Sequence, residues 1–212
     1  MIVTLDGKSL SDAFEPGETL QTLVSDVRGA HLGSRMVVSI MIDGRELAGD
    51  ELSARLDQPV EGVAQIELIS AEPHELVASA FREVSLLLAQ IGADHEALAD
   101  QMQSGETSNA VAKFGELLQV WQTCQQAVAE GSSMLSRDMT SMTASDRTVR
   151  EHLDALADTL RELRGAFEAN DMILLSDMFR YEMPDTCRTW QNILTELAEQ
   201  IEPSMESVSP PN

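Results

Sequence analysis

At Pro73 the hydrophobic pattern changes period, and this constrains the fold more than any motif does. Before it, apolar residues alternate in short runs: IVTLD from Ile2, VVSIMI from Val37 and VAQIELI from Val63. Alternation sends successive side chains to opposite faces of a strand. After it, Val77, Phe81, Val84, Leu88, Ile91, His95, Leu98 and Met102 recur at 4-3 spacing, which lays one stripe along a helix. The 212 residues therefore divide into two domains, 1–72 and 73–202, with a tail over 203–212 too polar and proline-rich to order. The predicted fold class is α+β.

In the first domain Asp6-Gly7 supplies a hairpin turn, and Ser9 to Phe14 return as the second strand. Glu18 to Arg28 places Leu20, Leu23, Val24 and Val27 on one helical face, which Gly29 closes. Asp43-Gly44 marks another hairpin, and 51–56 reads as a short connection to the last strand. The resulting ββαββ order resembles the ubiquitin-like β-grasp fold over residues 1–71. Carriers and tags of that type use a free carboxyl-terminal Gly-Gly, whereas this segment runs into Pro73 and the chain ends Pro210-Pro211-Asn212. The resemblance implies a fold, and the missing Gly-Gly disfavours carrier chemistry despite it.

The second domain carries three further stripes. Val111, Phe114, Leu118, Trp121, Gln125, Val128, Ser132, Leu135, Met139 and Met142 predict one long helix that frays or bends near Gly131. Ser104-Gly105 separates it from the first. Thr143 to Asp146 reads as a stop and a new cap before Val149, Leu153, Leu156, Leu160, Leu163 and Phe167. A break at 169–171 leads to the fourth stripe, Leu175, Phe179, Met183, Cys187, Trp190, Leu194, Leu197 and Ile201, which Pro184 should kink. Stripes that each need covering, joined by short connections, predict an antiparallel up-down four-helix bundle.

Charge and spacing narrow the function. The formal net charge is -22. Nucleic acid and anionic membrane are polyanions that bind through Lys and Arg, so a basic protein partner is favoured over both. No basic-plus-apolar leader occurs and no apolar run approaches about 20 residues, so a cytoplasmic location without membrane insertion is expected. Cys124 and Cys187 lack a C-x-x-C partner and read as reduced core thiols. Of His31, His74, His95 and His152, none follows a Glu by three residues and none belongs to H-E-x-x-H, so no metal centre is expected. Neither G-x-x-x-x-G-K-[ST] nor G-x-G-x-x-G is present, so no nucleotide cofactor is expected. Carboxylates such as Asp94, Glu96 and Asp100, or Glu151, Asp154 and Asp158, fall at the spacing of a solvated helix face. No catalytic set survives these tests, and the chain is read as a non-enzyme.

What remains are recognition features. Met134, Met139 and Met142, then Met172, Met178 and Met183, cluster in the two least regular regions, where flexible thioethers either fill gaps in a loosely packed bundle end or form an adaptable groove for a helix. The stretch from Ala169 to Pro184 also holds Phe179 and the sole Tyr, Tyr181, with Trp190 close behind. Its string ND-x-I-L-L-S-D-x-x-x-Y-E-x-P resembles a pattern of bacterial helical-bundle proteins, some near flagellar or secretion functions. The expected function is a non-enzymatic adaptor or chaperone-like module that binds a basic or amphipathic helical segment through Met134, Met139, Met142, Met178, Phe179 and Tyr181. The β-grasp module would add a second contact or a homodimer surface. The alternative is a phosphotransfer module that uses His95 or His152.

Overall fold

The computed structural model describes residues 1–10, 17–104 and 107–202. The second strand beyond Leu10, the break at Gly105, the side chains of Glu96 and Val111, and the tail from Pro203 lie outside the described residues. The chain is α+β and forms two compact units, Met1–Leu76 and Val77–Asn212.

The first unit is a five-stranded mixed sheet with a helix on one face. Strands β1 (Ile2–Leu5), β2 (Lys8–Ser9), β3 (Met36–Ile42), β4 (Arg45–Leu47) and β5 (Gln65–Ala71) lie in the order β2-β1-β5-β3-β4. The pair β1–β5 is parallel and the other pairs are antiparallel. The alternation read in the sequence sorts Val3, Ile40, Ile66 and Leu68 onto the inner face, where Leu20, Leu23 and Val27 of α1 (Leu20–Val27) cover them. A bulge in β3 inserts Val38 between Val37, opposite Ser70, and Ser39, opposite Ile69, which leaves Val38 outward and exposed.

Two expectations are corrected here. Gly29 does not close the first helix. The chain continues through a widened π turn, Arg28–Leu32, and stops at Gly33, whose φ of 57° suits glycine. The extra turn delivers Leu32 to a buried position, and that burial outweighs the weak local stop at Gly29. The connection after β4 is a helix, α2 (Gly49–Leu56), with Asp50 and Glu51 in its first turn and Arg55 in its last, the arrangement that the helix dipole favours.

At the end of this unit the Asp6 carboxylate accepts the Ser70 N–H at 2.8 Å and the Ser70 hydroxyl at 2.7 Å. Arg35 donates to the Ser70 carbonyl at 2.6 Å. The Ser70 donors, with Arg35 nearby, hold the Asp6 carboxyl below the usual carboxylate range.

In the second unit α3 (Pro73–Ser104), α4 (Thr107–Met134), α5 (Val149–Glu168) and the pair α6 (Met172–Asp177) and α7 (Met183–Ile201) bury one shared core. Trp121, Phe81, Leu88, Leu156, Phe179 and Trp190 are its largest fully or nearly fully enclosed members. The fourth stripe is buried at all eight expected positions from Leu175 to Ile201.

The stretch 135–148 departs from the expected helix. After Met134 the chain makes a 3₁₀ turn over Met139–Ser141 and a small hairpin of β6 (Thr143–Ala144) and β7 (Arg147–Thr148). Ser145 and Asp146, at φ 49° and 66°, form its two-residue turn, and they do not cap α5. The cap is Thr148, which accepts the Glu151 N–H while the Glu151 carboxylate accepts the Thr148 N–H at 2.8 Å. Pro184 falls in the first turn of α7 behind a π turn, Met178–Glu182, in which the Met183 N–H reaches the Met178 carbonyl. The wider turn absorbs the missing proline donor, so the stripe continues without a break. Among the described residues no single helix is long and apolar enough to cross a membrane.

Candidate functional site

The methionine-rich stretch of the sequence folds inward. Met139 is fully buried and Met142 is 7% exposed, so neither lines a surface groove; only Met134, at the end of α4, is exposed. Gly131 is the cause. A Cβ there would stand 2.8 Å from Cγ1 of Val77 and 3.2 Å from Cε of Met139, so only glycine lets the turn after α4 lay Met139 against the helix. The Met139 N–H is fixed by the Ser132 hydroxyl at 3.2 Å. Of the two readings of these methionines, Met139 and Met142 follow the core one: the groove contacts expected of them are corrected, because these thioethers fill core space that the turn creates.

The second segment divides between core and surface. Asp171 caps α6 by accepting the Leu174 N–H at 3.0 Å. Met178 and Phe179 are fully buried, so these two expected contacts are also core. Phe179 stacks on His95 at 5.9 Å and meets Phe114 edge-on at 5.9 Å. Ile173 and Tyr181 remain outside at 78% and 65% exposure, with Asp177 between them at i+4 on the same outward stripe. Asp171 and Glu182 border them, and both are exposed. The neighbouring cation, Arg180, is paired with Asp100 at 2.5 Å. Ile173 was not singled out in the sequence, because an aliphatic residue at a helix start looks like part of the buried stripe.

On another side of α7 lies a groove of about 490 Å³, between α5 and α7, with the β6–β7 hairpin at one end. Ala155 and Leu156 of α5 and Trp190 of α7 give it an apolar floor, and Thr159, Thr186, Thr189, Asn192 and Arg147 give it a polar wall. The hairpin is clamped from both helices. His152 Nε2–H donates to the Ala144 carbonyl at 3.0 Å, Glu196 accepts the Ser145 N–H at 2.7 Å, and Gln200 donates to the Thr143 carbonyl at 2.9 Å. A carbonyl only accepts, so Nε2 carries the proton and a neutral His152 keeps Nδ1 as an acceptor.

The two histidines nominated for phosphotransfer differ. His95 is fully buried and neither ring nitrogen makes a well-formed hydrogen bond. Its pKa is lowered mainly by burial, against which the Asp94 charge and the Gly92 backbone act in the opposite sense. A phosphoryl donor has no access to it in this fold. His152 is 8% exposed, sits at the groove edge and meets Trp190 edge-on at 6.4 Å. Burial pushes the thiols of Cys124 and Cys187 up to about 12, which keeps both protonated and unreactive.

A family model described as Domain of unknown function (DUF8042) matches residues 79–193, which include every residue lining the groove. No curated protein and no solved structure matches the chain.

Proposed function

We propose that this chain, which belongs to the DUF8042 family, is a non-enzymatic interaction module whose second unit binds a basic segment carrying apolar residues. The observation that carries this reading is the outward stripe Ile173–Asp177–Tyr181. Two large apolar side chains stand in water there, bordered by Asp171 and Glu182 and with no unpaired cation among the described residues of that stripe. Isolated exposed apolar residues need no explanation, but a pair on one helix face within an acidic border suits a cationic amphipathic helix, whose apolar side covers Ile173 and Tyr181. The opposite charges would speed encounter and make binding weaken with salt. Residues 73–212 hold 9 basic and 23 acidic side chains, which extends the same field around the contact.

In this reading the second unit is an antiparallel four-helix bundle that acts in the cytoplasm as an adaptor or secretion-type chaperone. The first unit is a β-grasp module, supported by its strand order with β1 and β5 parallel at the centre. Its outer face, with Met36, Val38 and Ile69 exposed, supplies the second contact or dimer surface.

The test is affinity capture from native lysate with the wild-type chain and with Ile173→Asp/Tyr181→Ser. The reading requires a protein retained by the wild type, lost with the double variant and released by raised salt. Identical capture by both chains, or no protein captured, overturns it.

A further inference from the structure

The groove between α5 and α7 is a different surface from that stripe, and its polar groups are unevenly committed. The hydroxyls of Thr159 and Thr186 donate to the Ala155 and Glu182 carbonyls at 3.2 and 2.9 Å, so both oxygens are left as acceptors. Among the described residues the side chains of Thr189 and Asn192 make no hydrogen bond, and Arg147, whose charge acts on the Glu151 carboxylate, makes no hydrogen bond or close ion pair. Three carboxylates nearby are engaged. Asp185, on the groove wall, is paired with Arg188; Glu151 is held by the Thr148 N–H and hydroxyl, and Glu196 by the Ser145 N–H and hydroxyl. In a chain of net charge -22, the groove thus offers a guanidinium whose donors are not hydrogen-bonded, an uncommitted amide and an uncommitted hydroxyl above an apolar floor.

From this we infer that the α5–α7 groove is a binding site for a small ligand bearing a carboxylate, received by Arg147, and hydroxyl or amide groups, received by Asn192 and Thr189. A guanidinium donates two parallel N–H groups that match the two oxygens of a carboxylate. Asn192 both donates and accepts, and Thr159 and Thr186 add acceptors along the wall, so the remainder of the ligand is a hydrogen-bonding chain and not a hydrocarbon. The volume of about 490 Å³ lies within the range of sites for small molecules. The clamps from His152, Glu196 and Gln200 hold the hairpin backbone, so the strand that carries Arg147 is in place before the ligand arrives. The carboxylate belongs to a free small acid or to the carboxyl end of a peptide, and the probes below separate these sources.

The experiment is a two-dimensional amide NMR titration of the full chain. The probes are L-malate, L-glutamate, the tripeptide Ala-Thr-Ala with a free carboxyl end, and the same tripeptide amidated. Saturable shifts at Thr189, Asn192 and the 145–148 hairpin are expected with a carboxylate probe and not with the amidated peptide. Arg147→Gln should weaken that binding about 10- to 100-fold, the loss of one charge-assisted contact, while Arg161→Gln, which removes an exposed cation of α5 paired with Asp158, should leave it unchanged. Response to the free acids assigns the site to a small metabolite, and response to the tripeptide alone assigns it to a peptide end. Equal binding by Arg147→Gln with its thermal melt unchanged, equal binding of the amidated peptide, or no shift with any probe overturns the proposal.

Discussion

Two stretches of this chain look alike on paper and are opposite in space. Both 134–142 and 172–183 are methionine-rich, and both depart from regular α-helix. In the first, Gly131 lets the chain fold back so that Met139 and Met142 are enclosed. In the second, a π turn just before Pro184 keeps the stripe inward at Met178 and Phe179 but leaves Ile173 and Tyr181 outside. Methionine content therefore did not separate core from surface; the local backbone did. Adaptable side chains fill whatever space the backbone leaves.

The contrast can be broken most strongly in the core. Met139→Ala should cost about 2–5 kcal/mol in a denaturant melt, since it removes an enclosed thioether and leaves a cavity beside Gly131. An effect under about 0.5 kcal/mol would mean that the stretch is a loose surface after all. Gly131→Ala should cost about 1–3 kcal/mol, because the new Cβ would stand 2.8 Å from Val77.

His95 sharpens the buried half of the second segment. Its folded pKa is lowered below the ordinary histidine value of 6.5, so between these two values the unfolded chain binds the extra proton. Above pH 6.5 the group is neutral in both states and adds no pH dependence; as pH falls below 6.5 stability declines, with a slope of at most about 1.4 kcal/mol per pH unit for one proton, until the folded group is protonated too. Melts of the wild type and His95→Leu from pH 7.5 to 5 should show that slope in the wild type alone. A parallel decline in both would locate the effect elsewhere. At the small end, Ile173→Ser and Tyr181→Ser should change stability by less than about 0.5 kcal/mol, whatever they do to partner capture. A larger loss would show that the outward stripe is packed in solution.

Parts of the fold were legible because the signal is local. Asp6-Gly7 and Asp43-Gly44 mark turns through their positive φ, and the eight positions from Leu175 to Ile201 mark a buried face through their spacing. The hairpin at 143–148 was not legible, since its turn is Ser145-Asp146 without glycine and its strands are two residues each. What stabilises it lies about fifty residues away, in Glu196 and Gln200. The candidate sites divide in the same way. Tyr181 was visible as the sole tyrosine beside a proline, whereas the groove joins Arg147 and Thr159 to Thr189 and Asn192, which no sequence window holds together.

By itself the sequence determined the change of period at Pro73, the strand alternation, the four stripes and the strongly acidic charge, because each depends on neighbours within a turn or two. The tertiary structure decided which methionines are core, where Pro184 is absorbed and which polar groups are left without partners. Those outcomes depend on how space is filled and hydrogen bonds are satisfied between segments far apart in the chain, as the contact of Gly131 with Val77 and the clamp of Glu196 on Ser145 illustrate.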